Sequence, residues 1–321
     1  MTATSSATGI EAPSQFIRPA QSEAGAANFP VVFINGELVQ KSDARVSIYD
    51  HGFLYGDGAF EGIRVYQGNI FRLEPHLLRL LRSCKGLHFD LNMTLAALVD
   101  AVVSVVRTNR VDSGYIRLSV SRGVGLGLDP SHLRGQPTVI ISTEQLRLYP
   151  QEAYERGLDT ITASTRVPPA VCIDPQIKSL GRYINNINAK MEANRVGAGE
   201  AIMLNMQGNV AEATGDNIFL ITNGALTTPP TSEGALPGIT REAVFDLAKD
   251  LGISYRESIM TLYDVYNADE AFLTGTAAEV IPMITCDGRA IGDGKPGSIT
   301  ERIITAFRIL TLTDGVRVDL S

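Results

Sequence analysis

Apolar and polar positions alternate from Phe29 onward, where FPVVFINGELV reads as two short strands about an Asn35-Gly36 turn, a strong hairpin signal. AFEGIRVYQGNIFRL repeats the device, with Gln67-Gly68-Asn69 at the turn. After Arg72 the period lengthens. His76, Leu77, Leu80, Leu81 and Leu87 fall at helical spacing, and a second helix is predicted through LAALVDAVVSVVRTNR. Strands YIRLSVSR and TVIISTEQL then close a small α+β unit over 29–142, and the charged, proline-bearing stretch RLYPQEAYERG predicts an interdomain connection over 143–156.

Residues 157–321 predict a larger unit. LDTITASTRV reads as a strand that breaks at Pro168-Pro169, and a helix opens near Tyr183 and continues through NINAKMEANRVG. Strands EAIMLNM, GNVAEA and NIFLITNGAL follow. After them come the loop TTPPTSEGALPG, the helix ITREAVFDLAKDLG, a strand around SYRESIM and a buried run EAFLTGTAAEVIPMI. Many short strands with few helices predict a barrel-like α/β domain rather than alternating βαβ units.

The 321-residue length agrees with two units at ~150 residues per domain. No run of about 18 apolar residues occurs, so no membrane span is read. A net charge of -7 with no basic block removes the electrostatic footprint for nucleic acid and leaves a small-molecule partner. Three separate cysteines, Cys84, Cys172 and Cys286, cannot all pair, which predicts a cytoplasmic protein. The first 28 residues lack a basic and apolar leader pattern and are read as a flexible extension.

Several chemistries can be set aside. Gly123-Val124-Gly125-Leu126-Gly127 does not complete a dinucleotide fingerprint, because Leu128 stands at the sixth position and no helix pattern follows. It is read as a flexible loop after a strand. His51, His76, His88 and His132 are scattered without zinc spacing, so no metal is expected, and no G-x-S-x-G nucleophile occurs. Lysines are few, and five of the six have ordinary surface or helical settings. Lys178 differs: it follows Asp174-Pro175, lies between Ile177 and Leu180, and stands between a broken strand and a helix start. Apolar neighbours make such an amine a candidate for Schiff-base chemistry, the plain alternative being a surface lysine at a helix start. Glu212 sits where a strand meets the turn Thr214-Gly215, and Arg72 ends a strand before a helix. Gly238, Ile239 and Thr240 open a helix whose free amides favour a phosphate, and GTAAE at 275–279 offers a second turn of small residues.

Together these segments resemble the branched-chain amino acid aminotransferases, the fold type IV group of pyridoxal-phosphate enzymes. The resemblance rests on HGFLYGDGAFEGIRVY, FRLEPHLLRL, YIR, KSLGRYINN, EATGDNIF, LPGITR and GTAAEV, which stand in the family's order and span about residues 30–310. It implies a two-domain fold, a small α/β domain followed by a larger pseudo-barrel domain.

By the same resemblance, Lys178 is the Schiff-base lysine and proton carrier. Tyr183 matches the tyrosine at the ring hydroxyl and Glu212 the acid at the pyridine nitrogen, while Arg72, Gly238, Ile239, Thr240 and Thr276 fall at the phosphate. Tyr55, Phe60, Gly62, Tyr115 and Arg117 match positions around the substrate, with Leu126-Gly127-Leu128 as a covering loop and Thr276-Ala277 at the α-carboxylate. The implied reaction is transamination between leucine, isoleucine or valine and 2-oxoglutarate, in a cytoplasmic homodimer or higher homo-oligomer. Related enzymes on this fold act on D-amino acids or R-amines, or are aminodeoxychorismate lyases. A silent ligand-binding protein is the rival from another class, and the presence of both Lys178 and Glu212 argues against it.

Overall fold

The computed structural model describes residues 29–133, 135–146 and 148–321; the extension read over 1–28 lies outside them. Two sheets organise the chain. In the first, β1 (Val31–Ile34) and β2 (Glu37–Gln40) pair antiparallel about Asn35 and Gly36, whose φ values of 51° and 101° meet the left-handed demand of the tight turn. The short helix α1 (His51–Tyr55), which the alternation did not predict, precedes β3 (Gly58–Tyr66) and β4 (Asn69–Phe71). α2 (Leu73–Gly86) and α3 (Leu95–Thr108) follow, then β5 (Gly114–Ser121) and β6 (Thr138–Glu144). Thr94 caps α3 by accepting from Ala97 N–H, a contact worth ~1 kcal/mol.

Leu73, Leu77 and Leu80 of α2, Leu98 and Val102 of α3, and Ile63, Val65, Ile116 and Leu118 of the strands share one core. Each fully buried aliphatic chain there contributes ~1.5–3 kcal/mol. That spacing on α2 also turns His76 and Arg79 inward, and both are buried. The sheet order is β16-β4-β3-β5-β6-β1-β2, all antiparallel, where β16 (Gly315–Arg317) comes from the C-terminus. Chain order had put those residues with the second unit; pairing with β4 returns them to the first.

The second sheet follows α4 (Gln151–Arg156) and collects β7 (Leu158–Thr162), β8 (Glu200–Leu204), β9 (Val210–Ala213), β10 (Asn217–Thr222) and β11 (Ala225–Thr228). β12 (Tyr255–Glu257), β13 (Glu270–Gly275), β14 (Glu279–Cys286) and the two-residue β15 (Arg289–Ala290) complete it. Its order, β12-β11-β10-β13-β14-β7-β8-β9, mixes parallel and antiparallel pairs and curls into a half-barrel. α5 (Tyr183–Arg195), α6 (Ile239–Asp250), α7 (Leu262–Tyr266) and α8 (Ser298–Leu310) accompany it. α6 and α8 pack Val244, Leu247, Ile303 and Phe307 against Phe219 and Phe272, whose rings stack 5.0 Å apart. Among the described residues no helix is long and apolar enough to cross a membrane.

Candidate active site

The segment between β7 and α5 is stitched to the first sheet by backbone. Phe60 N–H donates to the Lys178 carbonyl at 3.1 Å, Leu180 N–H to the Gly58 carbonyl at 2.8 Å, and Lys178 N–H to Ser83 Oγ at 3.2 Å. Lys178 is therefore fixed beside β3, and its Nζ donates to Tyr183 Oη at 2.9 Å. Tyr183 opens α5 and is braced edge-on by Phe60, with ring centroids 4.8 Å apart.

Glu212 lies buried in β9. One of its oxygens receives the Arg182 guanidinium, and the other accepts from Leu236 N–H at 2.8 Å. Arg182 is buried too and donates from Nη1 to the Pro175 carbonyl at 2.8 Å, so the carboxylate is held by two rigid donors. Lys178, Tyr183 and Glu212 line one small cavity of about 40 Å³ together with Arg79, Gly238, Ile239, Thr240 and Thr276. α6 begins at Ile239 with Gly238 as its cap, and its unbonded first-turn amides carry the positive end of the helix dipole to the cavity. A Cβ at 238 would stand 2.1 Å from Asn217 Oδ1, so a larger residue there displaces the Asn217 side chain.

Arg72 does not reach this cavity, and the phosphate position assigned to it is corrected. It takes a left-handed backbone (φ 46°) ahead of α2, and its guanidinium is held by Asp246 and Asp314, each at 2.6 Å. The arginine at the cavity is Arg79, held by Glu61 at 2.8 and 2.7 Å and donating to the Pro237 carbonyl at 2.9 Å. His76 Nδ1 stands 2.7 Å from the same carboxylate. Burial pushes the Glu61 carboxyl up, but the Arg79 charge and the hydrogen bonds from Arg79 and His76 overcome this and hold it at about 2. An ionised Glu61 requires His76 to donate from Nδ1. The signal for Arg79 was available in the sequence, three residues after His76 on the face that carries Leu73, Leu77 and Leu80.

A wider cleft of about 370 Å³ opens from the cavity and shares Lys178, Tyr183 and Thr276 with it. Phe60, Gly62, Tyr115, Arg117 and Ala277, all predicted from sequence, line it. β3 and β5 set Gly62 opposite Arg117, and a Cβ on Gly62 would stand 2.0 Å from Tyr115 Oη, so glycine is what lets the phenol approach. Arg117 lies 3.6 Å above the Phe60 ring centroid. Desolvation raises the Tyr115 phenol, keeping it neutral.

Four predicted substrate residues do not line this chain's own cleft. Tyr55, Leu126, Gly127 and Leu128 lie together on an exposed face, Gly127 N–H donating to Tyr55 Oη at 3.3 Å, with Leu126 68% and Leu128 82% exposed. Arg122 donates to Asp57 at 2.6 and 3.0 Å and to the Leu87 and His88 carbonyls, tying the segment after α1 to the end of α2. A larger cavity, about 520 Å³, lies behind Arg79 but contains neither Lys178 nor Glu212, so size alone misplaces the chemistry.

The donor set fits pyridoxal phosphate: an amine for the aldehyde, a phenol beside it, a carboxylate for the ring nitrogen, and a guanidinium with helix-terminal amides for the phosphate. Thr274 Oγ1 and Asp216 Oδ2 are buried without partners among the described residues, and both residues line the inner cavity, as polar atoms reserved for a bound molecule do.

Residues 58–285 match the sequence profile of the amino-transferase class IV family. A Methanocaldococcus jannaschii relative is 44% identical over 288 residues, 89% of this chain and 98% of its own. The branched-chain-amino-acid aminotransferase of Escherichia coli K12 is 37% identical over 281 residues, 86% of this chain and 91% of its own. The crystal structure of the Escherichia coli enzyme superposes with a TM-score of 0.84 at 35% identity, covering 90% of this chain and 96% of that one. The T.th. branched-chain amino acid aminotransferase, solved with pyridoxamine 5′-phosphate, gives 0.83 at 35% identity, over 88% and 94%.

Proposed function

The chain belongs to the class IV aminotransferases, and we propose that it exchanges the amino group between a branched-chain L-amino acid (leucine, isoleucine or valine) and 2-oxoglutarate. The observation that carries this reading is the convergence of Lys178, Tyr183, Glu212 and Arg79 on one cavity that opens into an apolar-walled cleft.

Pyridoxal phosphate, when bound, supplies an electron-accepting ring that spreads the charge left at the substrate α-carbon. Glu212 holds the ring nitrogen, its two oxygens fixed by Arg182 and Leu236 N–H. Arg79, Thr276 and the Gly238–Thr240 amides hold the phosphate. Lys178 Nζ would hold the group through its aldehyde and would serve as the base that takes and returns the substrate α-proton. Tyr183 Oη, 2.9 Å away, orients it. Tyr115 and the Thr276-Ala277 turn hold the α-carboxylate, Phe60 gives an apolar wall for isobutyl and isopropyl side chains, and Arg117 meets the distal carboxylate of glutamate. Both half-reactions use one site, so the kinetics are ping-pong.

The protein acts in the cytoplasm, with Cys84, Cys172 and Cys286 free, as a homodimer. The face carrying Tyr49, Phe53, Tyr55, Leu126 and Leu128 is apolar and exposed, and a second copy seated on it brings Tyr55 and the 126–128 loop to the neighbouring cleft. Incubation with L-leucine and with D-alanine, each with 2-oxoglutarate, and enantiomer-resolved assay of glutamate test the reaction. L-Leucine yielding L-glutamate is expected; product from D-alanine alone overturns it.

A further inference from the structure

Asp216 has no place in the scheme above, yet it costs the fold something to keep. It is 5% exposed in the turn between β9 and β10, its Oδ2 has no hydrogen-bond partner among the described residues, and it lines both the inner cavity and the wider cleft. Its Oδ1 packs over Gly275, where a Cβ would stand 1.9 Å away, so the carboxyl lies against the residue that leads into Thr276-Ala277. A buried carboxyl left without a donor is unfavourable unless it is neutral or meets a ligand.

The charged groups around it are mixed. Glu200 of β8 and Glu212 of β9 oppose its ionisation, while Lys190 of α5 and Lys178 favour it. Glu200 is already engaged by Thr214 Oγ1 at 2.6 Å, Tyr149 Oη at 3.1 Å and Lys190 Nζ at 3.3 Å, and Lys190 also donates to the Gly199 carbonyl. Lys178 is turned toward Tyr183. Among the described residues no base on a packed element takes the Asp216 proton.

We infer that Asp216 serves as an un-ionised acid in the cleft and donates a hydrogen bond to an anionic oxygen of a molecule bound there. The inference rests on the reaction proposed above, which supplies two such oxygens: the substrate carboxylate and the ring hydroxyl of the cofactor. Desolvation, with the Glu200 charge next, pushes the carboxyl up to about 8, so near neutral pH it carries the proton such a bond needs. Once ionised, it repels the same oxygen.

The test uses the holoenzyme and 4-methylvalerate, a leucine-like carboxylate without an amino group. Calorimetry in two buffers of different ionisation enthalpy reads proton uptake on binding, and Kd is followed from pH 6 to 9.5 in the wild type, D216N and D216S. If the substrate carboxylate is the acceptor, the wild type takes up a proton near pH 8 that neither variant takes up. The wild-type Kd, relative to that of D216N, then rises about tenfold per pH unit above pH 8. If the ring oxygen is the acceptor, ligand binding is alike in all three, but the visible absorbance band of unliganded D216S is displaced and its titration shifted. Wild-type proton uptake, Kd profile and absorbance titration that all match those of D216S overturn the inference. A chain that stays colourless with added pyridoxal phosphate fails the proposed function instead, and the two failures are thus distinguishable.

Discussion

Replacing Glu61 by Gln keeps the shape of the side chain and removes the charge that Arg79 depends on. Arg79 is left buried with the Pro237 carbonyl and a neutral amide in place of a bidentate carboxylate. Breaking a buried ion pair from one side costs ~3–5 kcal/mol. The shift of Glu61 from 4.5 to about 2 gives an independent figure of ~3 kcal/mol, and the two agree in order of magnitude. For a chain this long each kcal/mol moves the melting temperature by ~2 °C, so E61Q melts roughly 6–10 °C lower at pH 7. The folded carboxyl is depressed below its unfolded value, so its contribution is complete above pH 4.5 and disappears as pH falls from there through about 2. Melting curves from pH 7 to pH 2.5 should therefore show the gap between wild type and variant narrowing below pH 4.5. A variant that melts with the wild type at pH 7, or a gap of constant width down to pH 2.5, refutes the reasoning.

Arg79→Ala should weaken cofactor binding roughly 10–150-fold through loss of a charge-assisted contact, whereas Arg72→Ala should change it less than about twofold, both read by absorbance titration of the stripped protein. Gly62→Ala places a methyl 2.0 Å from Tyr115 Oη, so KM for L-leucine should rise at least about tenfold in steady-state assays while the protein stays folded by circular dichroism. Lys178→Ala should abolish glutamate formation, with cofactor still retained on ultrafiltration. Asp216 is held protonated well above its usual 3.8, which penalises folding increasingly as pH rises toward about 8; D216N should melt above the wild type at pH 8 and with it below pH 4.

The strongly periodic stretches gave α2, α3 and α6 and the hairpins, because each meets its core with a face that repeats at its own period. α1 is too short to show a period, and α8, whose ITERIITAFRIL carries one, directly follows a glycine-rich loop that masks its start. The return of β16 to the first sheet is a long-range pairing that nothing local encodes. Lys178 was legible from its apolar neighbours between a broken strand and a helix start, and Glu212 from its place where a strand meets a turn, whereas Tyr183 came from the family resemblance alone. The resemblance placed Arg72 at the phosphate, but acids 174 and 242 positions further along the chain claim its guanidinium. Arg79 lies on a helix face whose leucines account for its periodicity by packing alone, so the period does not single it out. Tyr55 and the 126–128 loop show that a position assigned to a site by resemblance need not line that site within one chain.

Borohydride reduction of the yellow holoenzyme, followed by proteolysis and mass spectrometry, tests the central claim most directly. The account predicts a single phosphopyridoxyl group, on the peptide that contains Lys178. Label on another lysine, or none on a protein that still transaminates, contradicts it.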